Sequence, residues 1–355
     1  MRIDVISFTD RGLLLSVRTA LRLWESGFGE AVLYTKHRGS RKESGVQPVE
    51  ESIYEWTAER FRRQIPILFI GACGIAVRAA APAIRDKLTD IPVLVMDEAG
   101  CYVIPILSGH WGGANRLANR LAELLGARAI ITTATDVNGR FAVDVFAREN
   151  GLSVFNKEGI AAVSARLLAG RQVTAACERE IAGTVPDGVR VLGTGEDGAW
   201  DMPDIWIGLA GRRAVLWLIP RCLVLGMGCK KGKTCAQIEA FVRAELKKLG
   251  LPMQAAAALA TIDCKREEPG FLEFADKYRL SFVTYGSEAL ARVPGDFSAS
   301  DFVQSRVGVD NVCERAAIAA CRADGNEGLL LAKTVREGMT LAVAKRKWSV
   351  TWDEA

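Results

Sequence analysis

The sequence predicts an α/β protein made of two three-layer α/β domains, one N-terminal and one C-terminal, joined by a small mixed α/β middle domain. Short apolar runs alternate along the chain with segments whose apolar residues recur at helical spacing. Glycine-rich turns follow several of these runs, as is typical where a buried strand leads into a helix. At 355 residues the chain has the length of two or three domains. We place them at residues 1–150, 151–220 and 221–344, with a charged, frayed tail over 345–355.

Composition argues against several classes of protein. The net charge of +4 is not that of a general nucleic-acid binder. The N-terminal segment MRIDVISFTDRG lacks the apolar core of a signal peptide, and no apolar run is long enough to span a bilayer. The nine scattered cysteines form no CxxC pair, which favours reduced thiols in a cytoplasm. With two histidines and no metal-ligand spacing, we expect no resident metal site.

The N-terminal elements follow from periodicity and capping residues. Ile3–Phe8 is predicted to be a strand, and Thr9 or Asp10 is expected to cap the following helix, which Gly27 ends. Four apolar residues of this helix recur at helical spacing: Leu14, Val17, Leu21 and Trp24. The next predicted elements are a strand over 31–34, a polar and basic surface loop over 36–48, a helix over 52–63 and a strand over 65–70.

Three loops that follow apolar strands of the N-terminal domain are candidates for ligand binding. The first, in GACGIAVRAAAP, contains Gly71 and Gly74 and is followed by Arg78. The second is LSGHWGGAN at 107–115, and the third lies in ITTATDVNGRFAVDVFA after a strand over 129–132. In an open α/β sheet, the loops after the carboxyl ends of the strands share one edge, where ligands bind. We therefore hypothesise that the three loops converge.

The LSGHWGGAN loop is the strongest candidate site. It holds one of the two histidines of the chain, and its three glycines allow a sharp turn and a close approach to a ligand. The helix after it directs N–H groups and a partial positive charge toward the loop. The candidate residues here are Ser108, Gly109, His110, Gly112, Gly113 and Asn115. The alternative is a tight turn whose histidine only caps the helix.

Charged and polar residues flank the neighbouring strands. A charged loop that includes Lys87 precedes a strand over 93–96. Asp97 and Glu98, with Gly100, predict a hairpin turn that leads into a strand over 101–106. A polar loop is expected after the strand at 129–132, with the residues Asp136, Asn138 and Gly139.

The middle segment carries no obvious chemistry. Its predicted strands lie at 154–155, 173–176, 189–192, 205–208 and 214–218. A helix is predicted over 160–168, and a loop or linker rich in glycine, aspartate and proline over 183–203.

A basic, glycine-rich turn, GMGCKKGKT, opens the C-terminal domain after a strand over 223–225. A P-loop has four residues between its first glycine and Gly-Lys-Ser/Thr, whereas three residues separate Gly228 from Gly232 and five separate Gly226 from Gly232. The dinucleotide fingerprint would need glycine at the position of Lys231. Both motifs therefore fail. The remaining turn, with lysines ahead of a helix over 236–249, suits a carboxylate or phosphate, and the alternative is a solvated basic turn.

The rest of the C-terminal domain continues the alternation of helices and strands. Strands are predicted over 255–262, 281–284, 329–333 and 339–344, and a helix over 269–277. Asp310 or Asn311 is expected to cap a further helix, with Arg315 in its first turns.

Several of these segments together resemble one known family. GACGIAVRAAAP with RDKLTD, LSGHWGGANRLA and ITTATDVNGRFAVDVFA are similar to the N-terminal signature of the CbiG family, the cobalt-precorrin-5A hydrolases of anaerobic cobalamin biosynthesis. LGMGCKKGK, LATIDCK and FSASDFVQSRVGVDNVCERAAI are similar to its C-terminal domain. The resemblance covers residues 1–344 in the same order, and Arg306 stands where the family often has threonine.

The resemblance implies a hydrolase that acts on a lactone and a carbon–carbon bond. Its substrate is a cobalt-containing, partly contracted tetrapyrrole, in which a lactone joins a ring-A acetate to the extruded bridge carbon. The enzyme opens the lactone and releases the bridge carbon with its methyl group as acetaldehyde, giving cobalt-precorrin-5B. It needs no cofactor, because the substrate carries the cobalt. The partners implied are the corrinoid, neighbouring pathway enzymes in transient contact and a second copy in a homo-oligomer, with no nucleic acid or membrane.

The residues can be set beside this reaction. Lactone opening needs an activated water or nucleophile, a stabilised oxyanion and protonation of the departing oxygen. We expect His110 to be the base, since its ordinary pKa is about 6.5, Asp136 to orient it, and the N–H groups around Gly112 and Gly113 to form an oxyanion hole. Ser108 is a candidate nucleophile, but without a GxSxG elbow the direct attack of water is favoured.

The carboxylates of the substrate suit helix N-termini and basic side chains. The residues predicted to bind the substrate are Gly71, Gly74, Arg78, Lys87, Gly109, Gly112, Gly113, Asn115, Asn138, Gly226, Gly228, Lys230, Lys231 and Lys233. Asp97, Glu98 and Asp136 are candidates for the second acid or base that the loss of acetaldehyde needs, and turn roles are favoured for Asp97 and Glu98. Two alternatives stay open: a non-catalytic carrier of corrinoid intermediates, and a nucleotide-dependent enzyme that uses GMGCKKGKT.

Overall fold

Helices pack on largely parallel β-sheets throughout the part of the chain that the computed structural model describes, which is residues 1–37, 44–193, 202–299, 304–305, 308–321 and 326–353. The α/β class is therefore confirmed. The chain divides into two units, Met1–Val145 and Phe146–Ala355. The first unit contains a seven-stranded sheet, and the second contains two five-stranded sheets and a two-stranded one.

The first unit begins with a strand and alternates strands with helices. Its strands are β1 (Arg2–Ser7), β2 (Glu30–Thr35), β3 (Val46–Pro48), β4 (Ile67–Ile70), β5 (Val93–Met96), β6 (Tyr102–Leu107) and β7 (Arg128–Ala129). Its helices are α1 (Asp10–Glu25), α2 (Ile53–Arg63), α3 (Cys73–Ala80), α4 (Ala114–Leu125), α5 (Ala134–Val137) and α6 (Val143–Glu149), the last of which continues past the unit boundary.

The seven-stranded sheet has the order β3-β2-β1-β4-β5-β6-β7. Strands β1 to β5 are parallel, whereas β6 runs antiparallel to β5, and β7 is parallel to β6. The carboxyl ends of β6 and β7 therefore lie at the opposite edge from those of β1, β4 and β5. The predicted hairpin at Asp97–Gly100 causes this reversal, because a tight hairpin joins antiparallel strands.

The hypothesis that the three candidate loops converge is therefore wrong for one of them. The Gly71–Gly74 loop follows β4 and lies at one edge of the sheet, while the loop at 107–115 follows β6 and lies at the other. The 107–115 loop and the segment after β7 share an edge, as predicted.

Two layers of helices sandwich this sheet. Helices α1 and α4 cover one face, against buried strand residues such as Val5, Leu68 and Leu94. Helices α2 and α3 cover the other face, against residues such as Ile6 and Phe69. The N-terminal domain is thus three-layered, as predicted.

Helix α1 is capped as predicted but buries a different face. Of the two predicted caps, Thr9 and Asp10, it is Thr9 whose hydroxyl accepts the N–H of Gly12, at 3.1 Å. Three of the four residues whose spacing predicts the helix face outward, since Leu14, Leu21 and Trp24 are 43%, 55% and 72% exposed, whereas Val17 packs partly buried against the core. The buried residues are Gly12, Leu13, Leu15, Ser16, Thr19 and Leu23. Small polar side chains can line this face because their hydroxyls bond to helix carbonyls, as Ser16 does with that of Leu13 at 2.7 Å.

Three short segments of the first unit differ from their predictions. Strand β7 has two residues rather than the four predicted, and a helix, α5, stands where a polar loop is predicted. Strand β3 lies inside the predicted surface loop at 36–48 and pairs with β2, while residues 38–43 of that loop lie outside the described residues.

The second unit begins with a small mixed sheet, as predicted. Its elements are β8 (Leu152–Val154), α7 (Lys157–Leu168), β9 (Val173–Cys177), β10 (Ile181–Ala182), β11 (Val189–Val191), β12 (Ile205–Ile207) and β13 (Leu216–Pro220). The strand order is β11-β9-β12-β13-β8, with β8 antiparallel to β13 and β10 outside this sheet. The predicted linker at 183–203 contains β11, and its residues 194–201 lie outside the described part.

The second five-stranded sheet forms the C-terminal part of this unit. Its elements are β14 (Leu223–Cys229), α8 (Cys235–Lys248), β15 (Ala256–Ile262), α9 (Pro269–Tyr278), β16 (Ser281–Tyr285), α10 (Ser287–Ala291), α11 (Cys313–Cys321), β17 (Asn326–Arg336) and β18 (Met339–Arg346). The strand order is β16-β15-β14-β18-β17, in which β14, β15 and β16 are parallel. One face packs on α8 and α9, and the other on α10 and α11, which gives the predicted three layers.

The predicted frayed tail is wrong for residues 345–353. Strand β19 (Val350–Thr351) pairs with β10. Asn150 and Thr351 exchange two hydrogen bonds of 2.8 and 3.0 Å, and the ring of Trp352 stacks on Phe146 at 4.8 Å. Strand pairing and the burial of Trp352 therefore order residues 345–353, although the charges of this segment favour a frayed tail.

Candidate active site

The LSGHWGGAN loop joins β6 to α4 through a turn that excludes side chains at two glycines. A Cβ atom at Gly112 would lie 2.4 Å from Cβ of Ser108, and one at Gly109 would lie 2.7 Å from Oδ1 of Asn115. Ser108 itself has a left-handed φ of +58°, which is uncommon for a residue with a side chain. The glycines of this loop are therefore required by its compact backbone.

The backbone donors at the start of α4 bond within the loop. The N–H groups of Ala114 and Asn115 donate to the carbonyls of Ser108 and Gly109, each at 3.0 Å. The N–H of Gly113 donates to the carbonyl of His110 at 2.9 Å. The N–H of Gly113 thus already has an acceptor. It could stabilise an oxyanion, as predicted, only after its hydrogen bond to the carbonyl of His110 breaks.

The side chain of His110 lies between two carboxylates. Its Nε2 is 2.6 Å from Oδ2 of Asp136 and 3.0 Å from the hydroxyl of Thr135, both in α5. Its Nδ1 is 3.3 Å from Oδ1 of Asp144 in α6. The imidazole ring therefore contacts carboxylate side chains at both nitrogens. The alternative, a histidine that only caps the helix, does not account for these contacts.

These contacts change the pKa values of His110 and Asp144. The hydrogen bond to Asp144 raises the pKa of His110 above its ordinary value, burial opposes this, and Asp136 raises the pKa further. Burial alone would raise the pKa of Asp144, but the hydrogen bond and charge of His110 hold that pKa below its ordinary value. The two shifts agree in favouring an imidazolium beside a carboxylate.

Asn115 ties this cluster to α4. Its Nδ2 donates to Oδ2 of Asp136 at 2.8 Å and to the hydroxyl of Thr133 at 2.9 Å. Asn115 is buried, whereas the side chain of Asp136 is 38% exposed. Asp136 therefore combines a fixed position with access to solvent.

Ser108 is engaged away from His110. Its hydroxyl donates to the backbone carbonyl of Asp90 at 2.8 Å. The buried carboxylate of Asp90 accepts the N–H groups of Arg85 and Asp86 and so shapes the loop that carries Lys87, which is exposed. The structure thus brings Lys87 to the same edge as the loop but does not pair Ser108 with a base.

The first predicted loop lies at the other edge of the sheet. Gly71 has a left-handed φ of +154°, and its N–H donates to the carbonyl of Met96 at 2.9 Å. The guanidinium of Arg78 folds back onto the carbonyl of Gly74 at 3.2 Å. The structure therefore does not bring Gly71, Gly74 and Arg78 together with His110.

The favoured turn roles of Asp97 and Glu98 agree with their contacts. The carboxylate of Asp97 accepts the N–H groups of Ala99, Cys101 and Tyr102 within its own hairpin. Glu98 accepts the hydroxyl of Thr9 at 2.7 Å, at the edge opposite His110. In the third loop, Asn138 donates to the carbonyl of Ala134 at 2.7 Å and so closes α5.

The buried carboxylate of Glu268 fixes the backbone of the basic turn in the second unit. The N–H of Gly232 donates to Oε1 of Glu268 at 2.7 Å, and Nζ of Lys265 lies 2.7 Å from the other oxygen of that carboxylate. Within the described residues, no ion pair is formed by the three lysines that the sequence singles out, which are Lys230, Lys231 and Lys233. Their charges are therefore available to an anion.

The two glycines before this turn have packing roles. A Cβ atom at Gly226 would lie 1.9 Å from the carbonyl oxygen of Cys313, where α11 crosses β14. One at Gly228 would lie 2.8 Å from the hydroxyl of Thr340 in β18. The close contacts inside the domain explain both glycines without a ligand.

Two partners of His110 are missed by the sequence analysis. Thr135 and Asp144 both lie in the segment ITTATDVNGRFAVDVFA, which already holds Asp136. That segment is the signal that could have found them, although their spacing alone does not predict that α5 and α6 would bring both carboxylates to one ring.

Within the described ranges, no helix is long and apolar enough to cross a membrane. In the same residues, no group of three or more histidine, cysteine, aspartate or glutamate side chains is placed to hold a metal ion.

Comparisons with known proteins agree along the chain. Residues 55–136, 141–201 and 223–344 match the models described as the cobalamin synthesis G N-terminal region, the cobalamin biosynthesis central region and the cobalamin synthesis G C-terminus. A protein of Salmonella typhimurium named cobalt-precorrin-5A hydrolase is 32% identical over 322 residues, covering 85% of this chain and 88% of its own length. A protein of Priestia megaterium with the same name is 31% identical over 324 residues, covering 86% and 85%.

A solved structure of a cobalamin biosynthesis protein G homolog from Sulfolobus solfataricus is also similar. It is 21% identical, with a TM-score of 0.42, and the match covers 97% of each chain.

The fold and the site define a multi-sheet α/β protein with a cluster of one histidine and two carboxylates at one edge of its N-terminal sheet. With relatives at this identity over most of its length, the chain belongs to the CbiG family of cobalamin biosynthesis.

Proposed function

We propose that this chain is a cobalt-precorrin-5A hydrolase, an enzyme that opens the ring-A acetate lactone of its tetrapyrrole substrate and releases acetaldehyde. Relatives that bear this name align with most of the chain. The observation that carries the catalytic part is the contact of 2.6 Å between His110 and the half-exposed Asp136. A paired imidazole and carboxylate can move the protons that lactone hydrolysis requires.

Water is the nucleophile in the proposed reaction. Its oxygen bonds to the lactone carbonyl carbon and its proton goes to the His110–Asp136 pair. When the tetrahedral intermediate collapses, the ester C–O bond breaks and the pair returns a proton to the departing oxygen, leaving a carboxyl group and a hydroxyl group. Ser108 is less suited to be a nucleophile, because its hydroxyl donates to the carbonyl of Asp90 and not to His110.

Acetaldehyde then leaves by cleavage of the carbon–carbon bond. The new hydroxyl group loses its proton to the His110–Asp136 pair, its oxygen forms the C=O bond of the aldehyde, and the electron pair of the broken bond enters the conjugated macrocycle. We propose that the chain holds no resident cofactor for this step, since the substrate brings its own cobalt.

Basic side chains bind the carboxylates of the substrate in this proposal. Lys87 lies at the edge of the sheet that holds His110, and Lys230, Lys231 and Lys233 form the basic turn of the second unit. Charge-assisted hydrogen bonds to carboxylates contribute about 1.5–3 kcal/mol each, less where they are exposed. We also propose that the enzyme acts in the cytoplasm, in transient contact with neighbouring pathway enzymes, and that it can form a homo-oligomer.

The proposal is tested by incubating the pure protein anaerobically with cobalt-precorrin-5A and a carbonyl reagent that traps acetaldehyde. We expect one equivalent of acetaldehyde per corrinoid, and its loss in His110→Ala while the corrinoid still binds. His37→Ala is the matched control, because His37 pairs with Asp10 at the opposite edge of the sheet. Binding without acetaldehyde in the parent protein would contradict the proposal and support a carrier. Normal turnover in His110→Ala would remove His110 from the mechanism.

A further inference from the structure

We infer that Asp144 is a positioning residue that keeps His110 protonated, so that His110 serves the reaction as the acid and Asp136 as the base. This reverses the expectation that His110 is the base. The catalytic half of the inference rests on the proposed function, whereas the protonation half can be measured on the protein alone.

A carboxylate oxygen lies beside each ring nitrogen of His110, which favours a proton on both nitrogens. Nε2 of His110 lies 2.6 Å from Asp136, and Nδ1 lies 3.3 Å from Asp144. The imidazolium has an N–H group at each ring nitrogen. Each neutral tautomer has one N–H group only, and would turn the lone pair of its other nitrogen toward a carboxylate. An imidazolium has no free lone pair with which to accept a proton, so in this state His110 can act as an acid and not as a base.

The groups around the ring support the same protonation state. Two carboxylates lie within 3.3 Å of the ring, those of Asp136 in α5 and Asp144 in α6. From α4 the neighbour is the neutral amide of Asn115, which bonds to Asp136. From the ring's own loop, the hydroxyl of Ser108 bonds to a backbone carbonyl. The side chain of His110 is only 12% exposed, so water screens these carboxylates weakly.

The two carboxylates differ in how much of the side chain is exposed to solvent, and this difference gives them different roles. The side chain of Asp136 is 38% exposed and that of Asp144 is 15% exposed. Asp136 can therefore meet a water molecule and accept its proton, while the more buried Asp144 contacts the other ring nitrogen. The raised pKa of His110 agrees with this arrangement. His110 gives its proton to the departing lactone oxygen, and the proton taken by Asp136 then restores the imidazolium across their hydrogen bond.

The two histidines of the chain make the protonation state directly measurable. In a His37→Gln background, the remaining imidazole is that of His110, and its ring signals can be followed by NMR against pH without substrate. We expect a titration midpoint above the ordinary value of about 6.5. Asp144→Asn should move it to lower pH, and Asp144→Glu should restore it. Glu123→Gln, which removes an exposed charge near the end of α4, should leave it unchanged.

Two results would overturn the protonation half. One is a midpoint at or below the ordinary value in the parent protein, and the other is an unchanged midpoint in Asp144→Asn. If Asp144→Asn does not fold, Asp136→Asn replaces it, since that variant removes the other carboxylate and should also lower the midpoint.

Activity against pH tests the catalytic half. If His110 is the acid, acetaldehyde release falls as pH rises through its pKa, and Asp144→Asn moves that fall to lower pH. A rate that instead rises as His110 loses its proton would make it the base and overturn the assignment. If no acetaldehyde forms at any pH while the NMR midpoint is raised, the proposed function fails and the protonation of His110 stands.

Discussion

The amide of Asn115 donates a hydrogen bond of 2.8 Å to the same carboxylate oxygen of Asp136 that lies 2.6 Å from Nε2 of His110. One oxygen atom therefore joins the first turn of α4 to the histidine of the preceding loop. Asn115 is buried, and its second N–H bonds to Thr133, so its amide is oriented from two sides. The position of Asp136 thus depends on α4 as well as on α5.

Asn115→Ala should lower the rate of acetaldehyde release by about tenfold to a hundredfold, the range expected when a reacting group is displaced by roughly 1 Å. The Michaelis constant should change less, because the lysines proposed to bind the substrate are untouched. Steady-state kinetics with trapped acetaldehyde would measure both quantities.

Asn119→Ala is the matched control, because Asn119 lies one turn further along α4 and is exposed. This variant removes a side-chain amide from the same helix but leaves the contacts of His110 and Asp136 unchanged. Equal rate losses in the two variants would mean that the effect comes from the helix and not from the bond to Asp136.

Gly112→Ala should destabilise the first unit. The added Cβ atom would lie 2.4 Å from Cβ of Ser108 and 2.9 Å from its carbonyl oxygen, so the turn must shift. Overpacking of this kind costs about 1–3 kcal/mol. Thermal or urea unfolding of the variant would show a lower midpoint than that of the parent protein.

Gly74→Ala provides the comparison at the opposite edge of the sheet. Its Cβ atom would meet only the end of the Arg78 side chain, at 3.3 Å, which can move. Alanine in the first turn of α3 also gains up to about 1 kcal/mol of helix propensity. If Gly74→Ala unfolds as readily as Gly112→Ala, crowding does not explain the glycines of these loops.

Stability should depend on pH through the His110–Asp144 pair. The pKa of His110 is raised on folding, so its contribution is complete below its unfolded pKa and is lost as pH rises through the folded value. The pKa of Asp144 is lowered, so its contribution is present above its unfolded pKa and is lost as pH falls through the folded value. The pair should therefore stabilise the first unit most in the weakly acidic range between these limits.

Urea unfolding from pH 3 to 9 would measure this contribution, with His110→Gln as the partner variant. The difference in unfolding free energy between parent and variant should be largest at weakly acidic pH and should shrink on both sides. A difference that does not change with pH would mean that the pair loses as much on burial as it gains from its charges.

The chemistry of the site could be predicted from the sequence further than its geometry could. The strand, the glycine turn and the helix around His110 follow from local rules, and so does the turn role of Asp97. The convergence of loops depends on strand direction, which is a property of the whole sheet. The hairpin at Asp97–Gly100 already implied a reversal, and it is this reversal that separates Gly71 from His110.

Helix α1 shows the same limit at a smaller scale. Its cap at Thr9 depends on neighbouring residues and is confirmed. Its buried face is not where apolar spacing indicates, because Ser16 and Thr19 satisfy their hydroxyls on helix carbonyls and can be buried, while Trp24 stays exposed. Contacts such as that of Asp144 with His110 likewise depend on how α6 packs, which periodicity does not show.

Neutralising the basic turn of the second unit should weaken substrate binding without changing the chemical step. Lys231→Gln removes an exposed charge that has no ion-pair partner among the described residues. An exposed charge of this kind contributes up to about 1 kcal/mol, which is about a fivefold rise in the dissociation constant. The rate at saturating substrate should stay unchanged, and both effects can be followed by corrinoid absorbance and acetaldehyde release.

Lys248→Gln is the control, because Lys248 lies at the other end of α8 and pairs with Glu245 at 2.7 Å. Both variants lower the net charge equally, so a difference between them reports the position of the charge. The effect of Lys231→Gln should also diminish as salt is added, since screening weakens an exposed contact with a carboxylate. Equal binding by both variants at low salt would show that the turn is a solvated basic surface, and substrate recognition would then depend on Lys87 and the other groups at the His110 edge of the first unit.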